Sequence, residues 1–305
     1  AAGNNKIKPE ITTTYEGGID ITTLDDRLTI GITGYYQLSR NQIVTAPSSP
    51  SSGFTAVLQN IGKVSNKGIE LNVNATLLKN IKGVKWTVYL NYAMNRSKVI
   101  KVSTERDEVQ LGTGSTAISL VAKEGQPFGI FKAETYLRDS MGRIMINFAN
   151  GLPLPGVTQG YFGTFQPKYT MGFGTELSWK GLSVNVAFDL RKGGVFWSNS
   201  KSNGEFSGTT ISTLLNNREP FIHPNTSYTD PSTGKIVANT SIASPVDVNY
   251  FQSLPESDHL IDASYIKLRE VSIGYTVPAK FFKSSPISGI SIGVFGRNLK
   301  TWVPK

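Results

Sequence analysis

Hydrophobic and polar residues alternate along much of this chain with a period of two, the signature of strands whose two faces meet different surroundings. Tyr15 to Leu24 is followed by a turn at Asp25-Asp26 and then by Arg27 to Leu38. On the second of these strands Leu28, Ile30, Ile32, Tyr36 and Leu38 share one face, and Thr29, Thr33, Tyr35 and Gln37 share the other. The next pair alternates more strictly. Ile69, Leu71, Val73, Ala75 and Leu77 are interleaved with Glu70, Asn72, Asn74 and Thr76; after a short turn, Val84, Trp86, Val88, Leu90, Tyr92 and Met94 continue the pattern. A third pair joins Pro167–Trp179 to Leu182–Trp197 through Lys180-Gly181, and a fourth joins Ala263–Val277 to Ile290–Trp302. In the fourth, Lys267 and Arg269 share parity with Val271, Ile273 and Tyr275, so the pattern predicts a bulge or an extramembrane strand start there.

These predicted strands are longer than the usual run of about five or six residues. They reach the roughly 9 to 11 residues that a tilted strand needs to cross a bilayer. The connections alternate as well. Those inside pairs are short. Those between pairs are long, running from residue 42 to 64, from about 101 to 165 and from about 198 to 262. Short turns on one rim and long loops on the other is the layout of an outer-membrane barrel; compact soluble domains rarely sustain such loops. The long loops are expected to hold short strands near Phe128 to Leu137 and Arg143 to Asn147, a short helix near Ile211 to Asn217, and a hairpin tip at Asp230 to Lys235.

Composition narrows the picture. Hydrophobic residues make up 39% and charged residues 17% of the 305 residues, with Gly, Ser, Thr and Asn filling the gap. Such a chain suits a sheet with one apolar and one wet face better than a large dry core. No run of about 18 apolar residues exists, so a transmembrane helix is not expected. Cysteine is absent and only His223 and His259 are present, which excludes disulfides, thiol chemistry and a His-rich metal cluster. The formal charge is +9, but Lys and Arg are scattered singly rather than in a stripe, which argues against nucleic acid as a partner. Catalysis has little support. Asp25-Asp26 lies in a turn, His259 beside Asp258 has no accompanying nucleophile motif, and Gly112 to Ala117 lacks the Lys and helix of a phosphate loop. No cofactor is expected.

Several segments carry a resemblance. The stretch from Gly53 to Asn74, with Asn60-Ile61-Gly62 and Asn66-Lys67-Gly68-Ile69-Glu70 at its centre, is similar to a segment of the SusC/RagA family of TonB-dependent transporters. So are Ile11 to Gly18 with the following DDRLTIGITGYY, Gly125 to Tyr136, Ala263 to Pro278, and Arg297 to Trp302. They follow the family's order. The resemblance implies an all-β fold: an antiparallel transmembrane β-barrel, here a partial wall with long extracellular loops, in the bacterial outer membrane. It implies active import of oligosaccharides or peptides with a SusD-like surface lipoprotein, energised by TonB through a plug. No plug, TonB box or N-terminal extension is recognisable, and family members run beyond the NLKTW segment to a closing strand. Residues 1–305 are therefore expected to be part of one barrel domain, and roughly eight strands cannot close a barrel of about 22.

Within that frame Glu70, Asn72 and Asn74 are expected to face the lumen, against the plug. Asn60, Gly62, Asn66, Lys67 and Gly68 are expected to be structural: the glycines shaping a turn or strand entry, the asparagines satisfying loop backbone. The loop aromatics Tyr136, Tyr161, Phe162, Tyr250 and Phe251 are the candidate substrate contacts, whereas Phe165 and Trp197 read as girdle residues at strand ends. Two other readings fit parts of the pattern: a passive porin-like barrel, and a secreted β-rich binding or adhesion module.

Overall fold

The computed structural model describes residues 4–103, 106–111, 117–282, 286 and 289–304. The four hairpins read from the alternation join into one antiparallel sheet of eight strands. In chain order these are β1 (Ile11–Thr23), β2 (Leu28–Pro47), β3 (Ala56–Ile81), β4 (Val84–Lys101), β5 (Tyr169–Trp179), β6 (Leu182–Lys192), β7 (Tyr265–Thr276) and β8 (Ser291–Trp302). Each pairs with its neighbour in sequence. The sheet does not close on itself, so the outer edges of β1 and β8 have no partner among the described residues.

Register turns the alternation into a surface. One cross-strand row runs Ile30, Val73, Leu90, Phe173, Phe188 and Leu268. The row beside it runs Ile32, Leu71, Tyr92, Met171, Leu190, Ile266 and Trp302. Phe173 and Phe188 stack with ring centroids 5.2 Å apart, and such pairs add to sheet stability. The opposite face carries Glu70, Asn72, Asn91 and Asp189. The expected bulge is present. Phe188 pairs with Leu268 and Ala187 with Glu270, leaving Arg269 unmatched, while Asn298 on β8 takes a positive φ of 53°. The extra residue restores parity, so Lys267 lies opposite Asp189 on the polar face and Val271 rejoins the apolar one.

The predicted end of β6 is too late. Gly193 and Gly194 take φ of 76° and 83° and end the strand at Lys192. Val195–Trp197 instead pairs with Leu260–Asp262 as a separate short ladder.

Short turns at Leu24–Arg27, Lys82-Gly83 and Lys180-Gly181, and the β7–β8 connection, share one rim; residues 48–55, 102–168 and 193–264 rise from the other. The two longest loops have structure of their own. Residues 102–168 form a four-stranded sheet of Glu108–Gln110, Ile118–Lys123, Ile130–Ala133 and Gly160–Thr164. Residues 193–264 hold helices α1 (Asn199–Phe206) and α2 (Val248–Gln252) and the hairpin Thr226–Thr229 with Ile236–Ala238, whose tip is Asp230–Lys235 as expected. The short strands foreseen in the first loop are Ile130–Ala133 and Ile144–Met145. The helix foreseen near Ile211 is a 3₁₀ segment, Ile211–Arg218, broken where Asn216 and Asn217 turn left-handed. Of the Gly-rich segment Gly112 to Ala117, residues 112–116 lie outside the described residues.

Dry packing is found at this rim rather than in the wall. Ala46, Ile61, Val64, Val99 and Val102 pack with Val109 and Ala122 of the first long loop. Val64 and Val99 project from the polar side of β3 and β4, so the loop folds over that side.

Candidate functional site

The candidate residues lie on the polar face of the wall and on the loops folded over its rim. Strand alternation places Glu70, Asn72 and Asn74 together on this polar face, opposite the apolar rows. Charged partners on the same face pair across strands. Arg297 Nε lies 2.9 Å from Glu270 Oε2, and Arg269 Nε lies 3.5 Å from Asp189 Oδ2. The face is thus wet and ion-paired over β6 to β8 and amide-lined over β3 and β4.

The motif residues explain themselves locally. Asn60 is a backbone clamp: its Nδ2 donates to the Asn41 and Lys8 carbonyls at 2.7 and 2.9 Å, and its Oδ1 accepts from Lys8 N at 2.8 Å. Asn66 joins a side-chain ladder between Gln37 and Asn95. Gly62 and Gly68 are not at a turn or strand entry; both lie inside β3. A Cβ at Gly62 would stand 2.9 Å from the Lys101 carbonyl oxygen, and one at Gly68 would collide with the Tyr35 ring. They are sites of close approach, which is what an interior strand glycine provides. Lys67 is exposed on the apolar side of the sheet.

The five loop aromatics divide. Tyr161 is 40% exposed. Lys123 and Lys132 flank its ring, with Nζ 4.8 and 5.7 Å from the centroid, and its hydroxyl donates to Glu108. Glu108 also pairs with Lys132 at 2.6 Å. Burial opposes its charge, but the bonds from Lys132 and Tyr161 prevail and hold its carboxyl below the usual range. Phe162 is half-buried on the same short strand. Tyr136 is half-buried, and its hydroxyl donates to Asp258 across the two long loops. Burial, then that bond, pushes its pKa well above the ordinary phenol value.

Tyr250 and Phe251 are 5% and 8% exposed. Their rings meet edge to face at 5.3 Å and, with Val246, Phe221 and Leu254 of the same loop and Leu152 of the first, build a core. Burial, followed by the charges of Asp258 and Glu205, pushes the Tyr250 hydroxyl up to about 12. Offered as substrate contacts by their sequence, these two are covered in this structure, because α2 turns both rings inward. Of the two residues read as girdle, Phe165 is 39% exposed just before β5. Trp197 lies in the second loop and donates its indole N–H to Glu256 at 2.8 Å.

Beside this core lies an ionic knot that the sequence pattern does not announce. Glu205 on α1 is buried. Its carboxylate receives His259 Nε2 at 3.2 Å, Lys201 Nζ at 3.4 Å and Ser212 Oγ at 2.7 Å. His259 Nδ1 meets Glu256 at 3.0 Å. Asp258, its neighbour in sequence, accepts Tyr136 instead. The knot ties α1 to the segment entering β7.

Residues 1–230 match the model of the family described as TonB dependent receptor-like, beta-barrel. TonB-dependent receptor P3 of Formosa agariphila is 22% identical over 98% of this chain and 30% of its own length. TonB-dependent receptor SusC of Bacteroides thetaiotaomicron is 31% identical over 33% of this chain and 10% of its own length. A structure of the RagAB peptide importer in the closed-closed state superposes with a TM-score of 0.73 at 19% identity, covering 100% of this chain and 33% of that one. At that identity the likeness speaks for the fold. The chain spans about a third of the length of the relatives it matches from end to end.

Proposed function

Because this chain belongs to the TonB-dependent receptor-like β-barrel family and is of the SusC/RagA type, we propose that it is a section of the wall of an outer-membrane active importer. Residues 1–305 belong to one barrel domain, and the free edges of β1 and β8 are completed by strands of a longer protein, since open edges are not tolerated in hydrocarbon. The apolar rows face lipid. The polar face lines the lumen, with Glu70, Asn72 and Asn74 against a plug. The long loops face outside, where a SusD-like surface lipoprotein delivers oligosaccharides or peptides, and TonB acting on the plug supplies the energy. Tyr161, exposed and bracketed by two lysines, and Phe162 beside it are the substrate contacts; Tyr136, Tyr250 and Phe251 act by holding the second loop in shape.

One observation carries this reading: apolar rows six or seven strands wide back onto a charged, amide-rich face, with every long loop on the same rim. The test is fractionation of the full-length protein, combined with uptake of labelled oligosaccharides and peptides by a strain lacking it. An outer-membrane protein whose loss abolishes TonB-dependent uptake of one substrate class is the expected result. A soluble protein, or uptake unchanged by its loss, would overturn it.

A further inference from the structure

Charge is distributed unevenly between the two faces of the wall. Six carboxylates lie within the eight strands: Glu16, Asp20, Glu70, Glu176, Asp189 and Glu270. Register puts all of them on the polar face. The cations do not follow. Arg40, Lys63, Lys67, Arg96, Lys98 and Lys192 have the parity of the apolar face, and all six are exposed.

They lie at the loop-side margin, beyond the row that ends in Trp302. Lys67 pairs with Arg96, Lys98 with Ser65, Arg40 with Lys63, and Lys192 with Tyr169. Burial fixes their direction independently. Ser39, Val64, Ser97 and Val99, which alternate with them along the strands, are buried on the side covered by the loops, so the cations point away from that cover. None of the six makes an ion pair among the described residues. Arg96 donates only to the Lys168 carbonyl at 2.9 Å, and Asp262 feels Lys192 and Lys168 through space.

Like charges set opposite one another destabilise a sheet unless something of opposite sign attends them. A solute on the polar side cannot reach these groups. Next to them, on the same face, is a groove of about 260 Å³ lined by Tyr169, Leu190, Ile266 and Trp302, with Lys192 and Ser264 at its margin. Apolar floor and cationic edge together match an acyl chain ending in a phosphate. We propose that this margin binds a phosphate-bearing acyl lipid of the outer leaflet, the six cations holding its headgroup and the groove receiving chain. Basic side chains at a membrane surface attract anionic headgroups within about a Debye length. This inference rests on the reading of the apolar face as the lipid face.

The test uses the full-length protein in detergent, titrated by native mass spectrometry with bis-phosphorylated lipid A, dephosphorylated lipid A and inorganic phosphate. Phosphorylated lipid A is expected to bind about tenfold tighter or more than the dephosphorylated form, with inorganic phosphate unable to displace it. Replacing Lys63, Lys67, Arg96 and Lys98 together by Gln should erase the preference. The variant Lys63→Arg, Lys67→Arg, Lys98→Arg should keep it, as should Lys82→Gln with Lys180→Gln on the other rim. Equal binding of the two lipid forms by the unmodified protein would overturn the proposal, as would displacement by inorganic phosphate or an unchanged preference in the Gln variant. If the protein partitions to the outer membrane but shows no such preference, only this inference fails; if it is not a membrane protein, the proposed function fails with it.

Discussion

The wall and the loop cap are both β-rich, but they are held together differently. In the wall, apolar side chains remain open: Ile19 is 66% exposed and Val294 68%. In the cap, Ala122 and Ala133 are fully covered and Tyr250 nearly so. The wall has ladder hydrogen bonds and same-face rows but, among the described residues, no second layer against its apolar side. The cap makes its own dry clusters and its own ionic knot, as a segment folding in water must. One chain therefore contains a region stabilised by packing and a region stabilised by register.

Glu205→Ala should loosen the cap and leave the wall intact. It leaves His259 Nε2, Lys201 Nζ and Ser212 Oγ without their shared acceptor, and each buried donor left unsatisfied costs about 1–3 kcal/mol. Hydrogen exchange should accelerate across residues 193–264 and stay unchanged in β2 and β3. Equal loss of protection in the wall would mean that the two regions are not independent. The second prediction tests the wall. Val73 is in the middle of an apolar row, so Val73→Arg should destabilise the barrel in bilayers by about 2–4 kcal/mol. Asn72→Arg, one residue away on the other face, should stay within about 0.5 kcal/mol. Denaturant unfolding of the full-length protein in vesicles measures both, and similar effects at the two positions would sink the assignment of faces.

These contrasts also show what the sequence could reveal. The hairpins were legible because alternation is a local pattern with a fixed phase; the phase error at Lys267 and Arg269 left a bulge and an extramembrane start both open, and only the register decides for the bulge. The cap was not legible in the same way. Glu205 and His259 are 54 residues apart and Tyr136 is 122 from its partner Asp258, and no periodicity links them. Tyr250 and Phe251 read as loop aromatics until α2 turned them inward. The cationic margin was hidden for a third reason. Its six residues look scattered along the chain, and only the cross-strand register gathers them onto one face. Gly62 and Gly68 suggested turn chemistry, whereas their reason is the close approach of Lys101 and Tyr35 to an interior strand.

Between the two long loops the coupling rests partly on Tyr136, whose hydroxyl donates to Asp258. Tyr136→Phe keeps the ring and removes the bond. A hydrogen bond to a charged group contributes about 1.5–3 kcal/mol, so exchange in residues 255–262 should quicken while the core around Tyr250 holds. No change there would show the loops to be tied by the pairing of Ile144 and Met145 with Thr226 and Ser227 and by the bond from Ser244 Oγ to the Gly151 carbonyl.

The smallest effect belongs to the tight turn at Asp139, where the cap depends on one carboxylate. Burial acts to raise its pKa, but Arg143 Nε at 2.7 Å and the backbone N–H groups of Met141 and Arg143 outweigh it, lowering it from 3.8 to about 2. A depressed folded value means that the ionised carboxylate favours the folded turn. That stabilisation is complete above about 3.8 and is lost as pH falls through about 2. Pepsin cleavage within residues 138–148 should therefore rise between those values, relative to cleavage in residues 48–55, which hold no ionisable side chain. Asp139→Asn should cleave faster at the upper end of the window and show a flat ratio across it. A variant that keeps the native acid profile would place the sensitivity elsewhere in the cap, and the turn would then owe its shape to Gly142, at φ 79°, rather than to the charge.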